Sequence, residues 1–309
     1  MAWDVPPVFL ESVHDQDRRE WVTAAPARAA ALADRWQLTP DGAPMSGYLA
    51  VVWPVRDATG RLLALKLSTH DRASDGEIPA LLAAADTGVV VEVVESEPAQ
   101  AAVLLERLDP QRTLEQLPDV DEACGVIGTI VAGISAVTAP PGVARMVDEL
   151  ARVSAAIRSQ HDKWGVVLPR WAVDRALSTL ADLAADLEAV GDGPLPLVHA
   201  DCHFLNVLHT LPGQSARWKA IDPFPFAGLP EAEVVAPLRN RWADALGTGE
   251  PERALRRRVD IICEPAALDT AVARAFAQAF AVDNILWLLP DRPGDMFIAP
   301  YSTIALWRD

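Results

Sequence analysis

Cysteine is scarce, with three residues in 309. Cys124, Cys202 and Cys263 lie far apart and form no C-x-x-C pair, which excludes a disulfide framework and a zinc ribbon. Cys124 and Cys263 sit among apolar neighbours and read as buried thiols. Tyrosine is scarcer still, with two residues beside ten tryptophans. Positive charge is also short: 27 basic residues face 43 acids, for a formal charge of −16. Such a surface repels phosphate backbones and excludes nucleic acid as a partner. It suits a cationic small molecule drawn to an acidic cleft, and it equally serves solubility. No apolar run reaches membrane-spanning length. The opening Met-Ala-Trp-Asp-Val-Pro-Pro lacks the basic start and apolar core of a secretory signal. A cytoplasmic protein is expected.

Elements can be read from periodicity and breakers. Residues 1–14 are expected to be irregular, given Pro6 and Pro7. Asp15 to Trp36 has helical apolar spacing, interrupted by Pro26. Gly42 to Gly47 is a Gly/Pro/Ser-rich loop. Tyr48–Val55 and Arg61–Leu67 read as strands joined by the turn Asp57-Ala58-Thr59-Gly60. A helix over Glu77–Ala85 and a second strand pair, Val89–Glu95 with Ala101–Leu105, complete a small antiparallel sheet. After Leu108 the pattern turns helical: Asp121–Thr138, Val147–Ile157, and Ala172–Val190 ending at Gly191. Leu195 to Asp222 holds short strands and acidic loops, and the chain from Glu252 onward is largely helical. Strands first and helices after predict an α+β, two-lobed fold, with an N-lobe over 1–107 and a C-lobe over 108–309.

The most informative stretch is Pro196-Leu197-Val198-His199-Ala200-Asp201-Cys202-His203-Phe204-Leu205-Asn206-Val207-Leu208, followed by Trp218-Lys219-Ala220-Ile221-Asp222-Pro223. Two aspartates and an asparagine are set into apolar, strand-like surroundings. Phosphoryl transfer asks for such a set: one carboxylate to orient a hydroxyl, and separate oxygens to hold magnesium, a hard cation. The spacing reproduces the kinase H-x-D-x-x-x-x-N…D layout, with Ile-Asp-Pro where a kinase has D-F-G. Asp201 is the candidate to receive or orient the acceptor proton, and Asn206 and Asp222 the candidate magnesium ligands. His199 is expected to brace the loop, His203 either to approach the γ-phosphate or to cap the turn, and Cys202 to pack inward. Two other readings compete. Asx residues form turns for local reasons, and His199-x-Asp201-x-His203 could begin a hydrolase metal cluster, which would need further ligands.

Upstream, Leu62-Leu63-Ala64-Leu65-Lys66-Leu67 is a strand with one alternating lysine. In a kinase fold Lys66 would grip the α/β-phosphates, held by a helix glutamate, for which Glu77 is the partner. Val103 to Leu108 fits the hinge between lobes, where backbone groups of Glu106 and Leu108 would bond adenine. Gly42–Gly47 could cover the phosphates, although it matches neither standard glycine motif.

These residues give the chain a family resemblance. It resembles the streptomycin 6-phosphotransferase and hydroxyurea phosphotransferase family, within the kinase-like aminoglycoside phosphotransferases. The likeness includes Asp34-Arg35-Trp36-Gln37-Leu38, Ala64-Leu65-Lys66-Leu67, Leu104-Leu105-Glu106-Arg107-Leu108-Asp109 and Arg112-Thr113-Leu114. It continues through His199–Leu208 and Ala220-Ile221-Asp222-Pro223 to Asn284-Ile285-Leu286-Trp287. The resemblance implies a protein-kinase-like fold, ATP and Mg2+, and transfer of the γ-phosphate to a hydroxyl of a small, cationic acceptor such as an aminoglycoside. The chain departs from the family at Ala200, Cys202 and Phe204-Leu205. Leu229 and Glu233 also stand where the family tends to carry aspartates; Glu233 could still brace the catalytic loop. Glu231, Glu233, Glu264, Asp269 and Asp283 are candidate carboxylates for ammonium or guanidinium groups; Trp242 and Trp287 could line the pocket, but apolar helix packing is the favoured reading for both. A biosynthetic or sugar kinase on the same machinery, and a kinase-like protein that binds without turnover, are the alternatives.

Overall fold

The computed structural model describes residues 3–308 except 8, 10–15, 48, 49, 70, 71, 165, 166, 192 and 216. The expected starts at Asp15 and Tyr48, and much of the expected irregular 1–14 segment, lie outside the described residues. Helix α1 (Gln16–Trp36) carries Pro26 without breaking. It is followed by β1 (Thr39–Pro40), β2 (Met45–Ser46), β3 (Ala50–Arg56) and β4 (Leu62–Ser68). Helix α2 (Arg72–Ala83) precedes β5 (Val93–Glu97), β6 (Ala102–Glu106) and β7 (Leu108–Thr113). The sheet runs β1-β3-β4-β6-β5, with β2 also on β3, and its pairings are antiparallel.

Alternation along these strands divides the interior. Leu63, Leu65 and Leu67 of β4 face a core built with Ala25, Ala29 and Leu32 of α1. The intervening Lys66 therefore points to the opposite face, toward the helical part of the molecule. Strand β6 splits in the same way. Ala102 and Leu104 enter the first core, and Val103 and Leu105 enter the larger second one.

Helix α2 begins five residues before the expected Glu77, which places Glu77 inside the helix. Gly76 lies within α2 and approaches Pro225 closely. A Cβ added at Gly76 would lie 2.8 Å from the Pro225 ring. The absent side chain lets α2 lean on the loop after Asp222.

The remainder is mostly helical: α3 (Val120–Ser135), β8 (Ala144–Arg145), α4 (Met146–Trp164), α5 (Arg170–Val190) and β9 (Leu197–Val198). Then come β10 (Val207–Thr210), β11 (Trp218–Ala220), β12 (Phe226–Ala227), α6 (Val235–Leu238), α7 (Trp242–Gly247), α8 (Pro251–Ala266), α9 (Thr270–Asp291) and α10 (Ile298–Ala305). Asp119 caps α3, accepting the Asp121 and Glu122 N–H groups, and Asp269 caps α9 in the same manner. Strands β11-β10-β7 and β8-β12-β9 form two small sheets that frame the acidic loops. Contrary to the sequence expectation, α9 is long and apolar enough, by length and composition, to cross a membrane. Its apolar residues, among them Phe276, Val282, Ile285 and Leu286, are instead buried in the second core.

Candidate functional site

The loop from β9 to β10 turns back on itself at Ala200, whose φ of +60° lies in the left-handed region. A side chain there costs on the order of 1 kcal/mol. Glu233 holds the turn from beneath. Its Oε1 accepts the His199 N–H at 2.5 Å and its Oε2 the Ala200 N–H at 3.1 Å. Glu233 is 1% exposed, and burial pushes its carboxyl up to about 7 against the pull of the two N–H donors.

His199 is buried beside it. Its Nδ1 accepts the Asp201 N–H at 3.3 Å, so Nε2 carries the proton and donates to the Ile221 carbonyl at 3.0 Å. Burial lowers its pKa to about 4. A neutral imidazole thus ties the Asp201 loop to the Asp222 loop. His203 caps the next turn, its Nδ1 accepting the Leu205 N–H at 3.2 Å, and its Nε2 lies 3.7 Å from Asp201 Oδ2. Burial lowers its pKa to about 4 as well. His199 spends both ring nitrogens on the backbone, and among the described residues no group of three or more His, Cys, Asp or Glu is placed to hold a metal ion.

Asp201 takes two side-chain donors. Arg239 Nη2 donates to Oδ1 at 2.9 Å and Asn206 Nδ2 to Oδ2 at 3.1 Å. Burial raises the Asp201 carboxyl, while Arg239 and His199 act to lower it. The same Asn206 Nδ2 donates to the Asp201 carbonyl at 3.0 Å. The amide is thereby oriented with Oδ1 away from Asp201 and without a protein donor among the described residues.

The second loop bends at Asp222, whose φ is +56°. The Ile221 N–H donates to the Asn206 carbonyl at 2.9 Å, setting Asp222 next to Asn206. Lys66 Nζ reaches across to Asp222 Oδ1 at 2.9 Å and to Glu77 Oε1 at 2.5 Å. Burial opposes the lysine's charge, but the Asp222 and Glu77 carboxylates outweigh it and hold its pKa above the ordinary value. The structure therefore unites Lys66 with Glu77 and Asp222, and Asp201 with Asn206. The oxygens offered by Asn206 and Asp222 fit magnesium, which takes few protein ligands and completes its shell with phosphate and water.

At the expected hinge, the Glu106 carboxylate accepts the Glu92 N–H at 2.8 Å and pairs with Lys219. Leu108 is buried and paired in register with Thr210. Both side chains are structural here, leaving the backbone as the hinge's possible recognition surface.

The expected acceptor carboxylates are not brought together. Glu233 is sealed under the loop, and this burial removes it from any acceptor. Glu231 accepts the Asp269 N–H at 3.3 Å, and Asp269 caps α9. Glu264 is exposed near the end of α8. Asp283 faces Arg152 and Glu149 of α4, and burial pushes its carboxyl up to about 6. The cavity beside Asp201, about 270 Å³, is lined instead by Ala200, Arg239, Phe280, Asn284 and Tyr301 among others. Neither Trp242 nor Trp287 lines it; Trp242 packs on the core and Trp287 lies exposed under Arg292. Arg239 escaped the sequence reading because it stands 38 residues from its partner, with no motif marking it. Asn284 lies within the family stretch Asn284–Trp287, the one signal that pointed toward this wall.

Fold and site together define a kinase-like phosphotransferase: a sheet-bearing N-terminal region, a mostly helical C-terminal region and an acidic loop pair between them. The chain belongs to the aminoglycoside/hydroxyurea antibiotic resistance kinase family, whose model matches residues 35–291. It is 33% identical over 283 residues to streptomycin 6-kinase of Streptomyces glaucescens, covering 89% of this chain and 87% of the relative. Among solved structures it resembles the macrolide 2'-phosphotransferase of Brachybacterium faecium (TM-score 0.54, 14% identity, 92% of this chain and 98% of that one). It also resembles LicA in complex with AMP (TM-score 0.56, 12% identity, 90% and 94%).

Proposed function

We propose that this protein is an ATP- and Mg2+-dependent O-phosphotransferase that acts on a hydroxyl of an aminoglycoside-type acceptor. The observation that carries the reading is the Lys66–Glu77–Asp222 cluster lying against the loop that presents Asp201 and Asn206. The named activity of the streptomycin 6-kinase relative supports the acceptor class, and the AMP in the LicA structure supports nucleotide use.

In this reading Lys66 binds the α/β-phosphates, kept charged and aimed by Glu77. Asn206 and Asp222 hold Mg2+, which when bound neutralises phosphate charge. Asp201 accepts the proton of the acceptor hydroxyl or orients it. Glu233 and His199 preserve the loop geometry on which that position depends. The backbone of Glu106 and Leu108 receives adenine. We take 1–107 as the nucleotide-binding lobe and 108–309 as the lobe bearing the catalytic loop and acceptor site, in a cytoplasmic enzyme with free thiols.

ADP release by purified protein with ATP and Mg2+ tests this, against a panel of streptomycin, other aminoglycosides, amino sugars and hydroxyurea. Acceptor-dependent release that Asp201→Ala abolishes, with ATP binding retained, is the expected result. Absence of nucleotide binding would overturn it.

A further inference from the structure

Helix α8 turns Leu255, Val259, Ile262 and Cys263 inward at the spacing of one helical face. Arg258 is buried among them, 1% exposed. Its neighbours in sequence find carboxylates, Arg256 with Glu252 and Arg257 with Asp121. Arg258 donates instead to two consecutive carbonyls, those of Asn240 and Arg241, each at 2.9 Å. Its Nε has no partner among the described residues. A guanidinium at a core position is costly to bury, so its use is to be sought in the segment it grips.

That segment is the turn between α6 and α7. Arg241 sits there at a φ of +50°, a left-handed conformation that a long side chain adopts only under restraint. The Arg241 guanidinium anchors the far side of the turn. It donates to the Leu117 carbonyl at 2.5 Å and the Pro118 carbonyl at 3.2 Å. On the near side, Arg239 Nη2 donates to Asp201 Oδ1 at 2.9 Å, and the same guanidinium is bonded to Tyr301. Arg258 thus holds the backbone one and two residues after the arginine that meets Asp201.

We propose that Arg258 is a positioning residue for phosphoryl transfer: by gripping the Asn240 and Arg241 carbonyls it holds the turn that sets Arg239 against Asp201. The proposal rests on the reading of Asp201 as the group that meets the acceptor hydroxyl. The guanidinium fork suits two carbonyls at once, whereas a lysine ammonium is a point charge that fixes their geometry less well. Without the grip, Arg241 is free to leave the left-handed region, and Arg239 moves with the relaxed turn. A small displacement of Asp201 then acts on transfer and not on the nucleotide held at Lys66.

The test compares Arg258→Met and Arg258→Lys in the full chain; the lysine variant keeps the cation and carries the test if the methionine variant does not fold. The first readout is ADP release with ATP, Mg2+ and the acceptor of the panel that supports turnover. In Arg258→Met kcat should fall by about 10²-fold, and in Arg258→Lys by less, with the KM for ATP nearly unchanged. In an Arg239→Gln background the same substitutions should change kcat by about twofold at most, because the path they act through is already cut. Equal losses in both backgrounds, or a KM for ATP that rises as kcat falls, would overturn the proposal. The second readout is fluorine NMR of the fluorotyrosine-labelled chain, whose two tyrosines are Tyr48 and Tyr301, assigned through Tyr48→Phe. The Tyr301 signal reports the bond to Arg239 and should shift in Arg258→Lys while the Tyr48 signal stays. An unmoved Tyr301 signal would overturn the proposal even where kcat falls. Absence of acceptor-dependent ADP release by the unaltered protein would overturn the phosphotransferase reading and the positioning role with it, whatever the fluorine signals show of the link from Arg258 to Arg239.

Discussion

Glu233 accepts the Ala200 N–H at 3.1 Å, and Ala200 is the residue held in the left-handed region. One buried carboxylate thus retains a backbone bend in the loop that carries Asp201. Glu233→Ala would leave the His199 and Ala200 N–H groups without acceptors, a loss of roughly 2–6 kcal/mol at 1–3 per buried group. Denaturant unfolding should show that loss. Turnover should fall far more than the KM for ATP rises, because the bend positions Asp201 and not Lys66.

His199 sets a pH dependence of stability. Its folded pKa of about 4 lies below the ordinary value of 6.5, because burial disfavours the imidazolium. The unfolded chain therefore takes up the proton first. The stabilisation is fully present above about pH 6.5 and is lost as the pH falls toward 4, by roughly 3 kcal/mol in all. His199→Asn should be less stable at neutral pH but flatter between pH 7 and 4, as read by unfolding at several pH values. An unchanged slope would show that another group carries the acid limb.

Lys66 and Glu77 form a buried pair, each side chain 6% exposed. Lys66→Met removes the cation that faces Glu77, and removal of one partner of such a buried pair costs about 3–5 kcal/mol. The double variant Lys66→Met with Glu77→Leu should recover a large part of that stability. Both variants should lose nucleotide affinity. Recovery of stability without recovery of binding separates the structural share of the lysine from its proposed phosphate contact.

Asp201→Asn keeps the size of the side chain and removes its charge. In the proposed chemistry transfer should fall by about 10²–10⁴-fold, with ATP affinity nearly unchanged. ADP release and direct nucleotide titration check the two halves. Retention of transfer would move the proton-accepting role away from Asp201.

Gly128 lies where α3 meets α8. A Cβ there would come within 2.6 Å of the Ile262 carbonyl and 3.0 Å of Pro265. Glycine to alanine inside a helix ordinarily gains about 1 kcal/mol. Here Gly128→Ala should instead destabilise by roughly 1–3 kcal/mol, because backbone must move to admit a methyl group. A lowered unfolding midpoint is expected.

Much of this molecule was legible along the chain. The apolar alternation of Leu63, Leu65 and Leu67 predicts a strand with Lys66 on its other face, and that is how β4 lies. The spacing from His199 through Asn206 predicts one loop carrying the polar set, and the candidate residues do gather there. Helix starts were less legible. The expected start at Glu77 lies five residues inside α2, which runs through Gly76 where it meets Pro225, a residue distant in sequence. The acidic residues misled for a related reason: whether an acid faces an acceptor or a backbone N–H depends on what packs over it. Composition shows 43 acids and cannot say which are already spent.

The sequence by itself determined the residue types for phosphoryl transfer and their local order, because strand alternation and loop spacing are short-range properties of the chain. Only the tertiary structure decided that Lys66 meets Asp222 across 156 positions, that Glu233 braces Ala200, and that Arg239 meets Asp201. Those outcomes follow from Coulomb interaction and burial, which act through distance in space and are not set by distance along the chain.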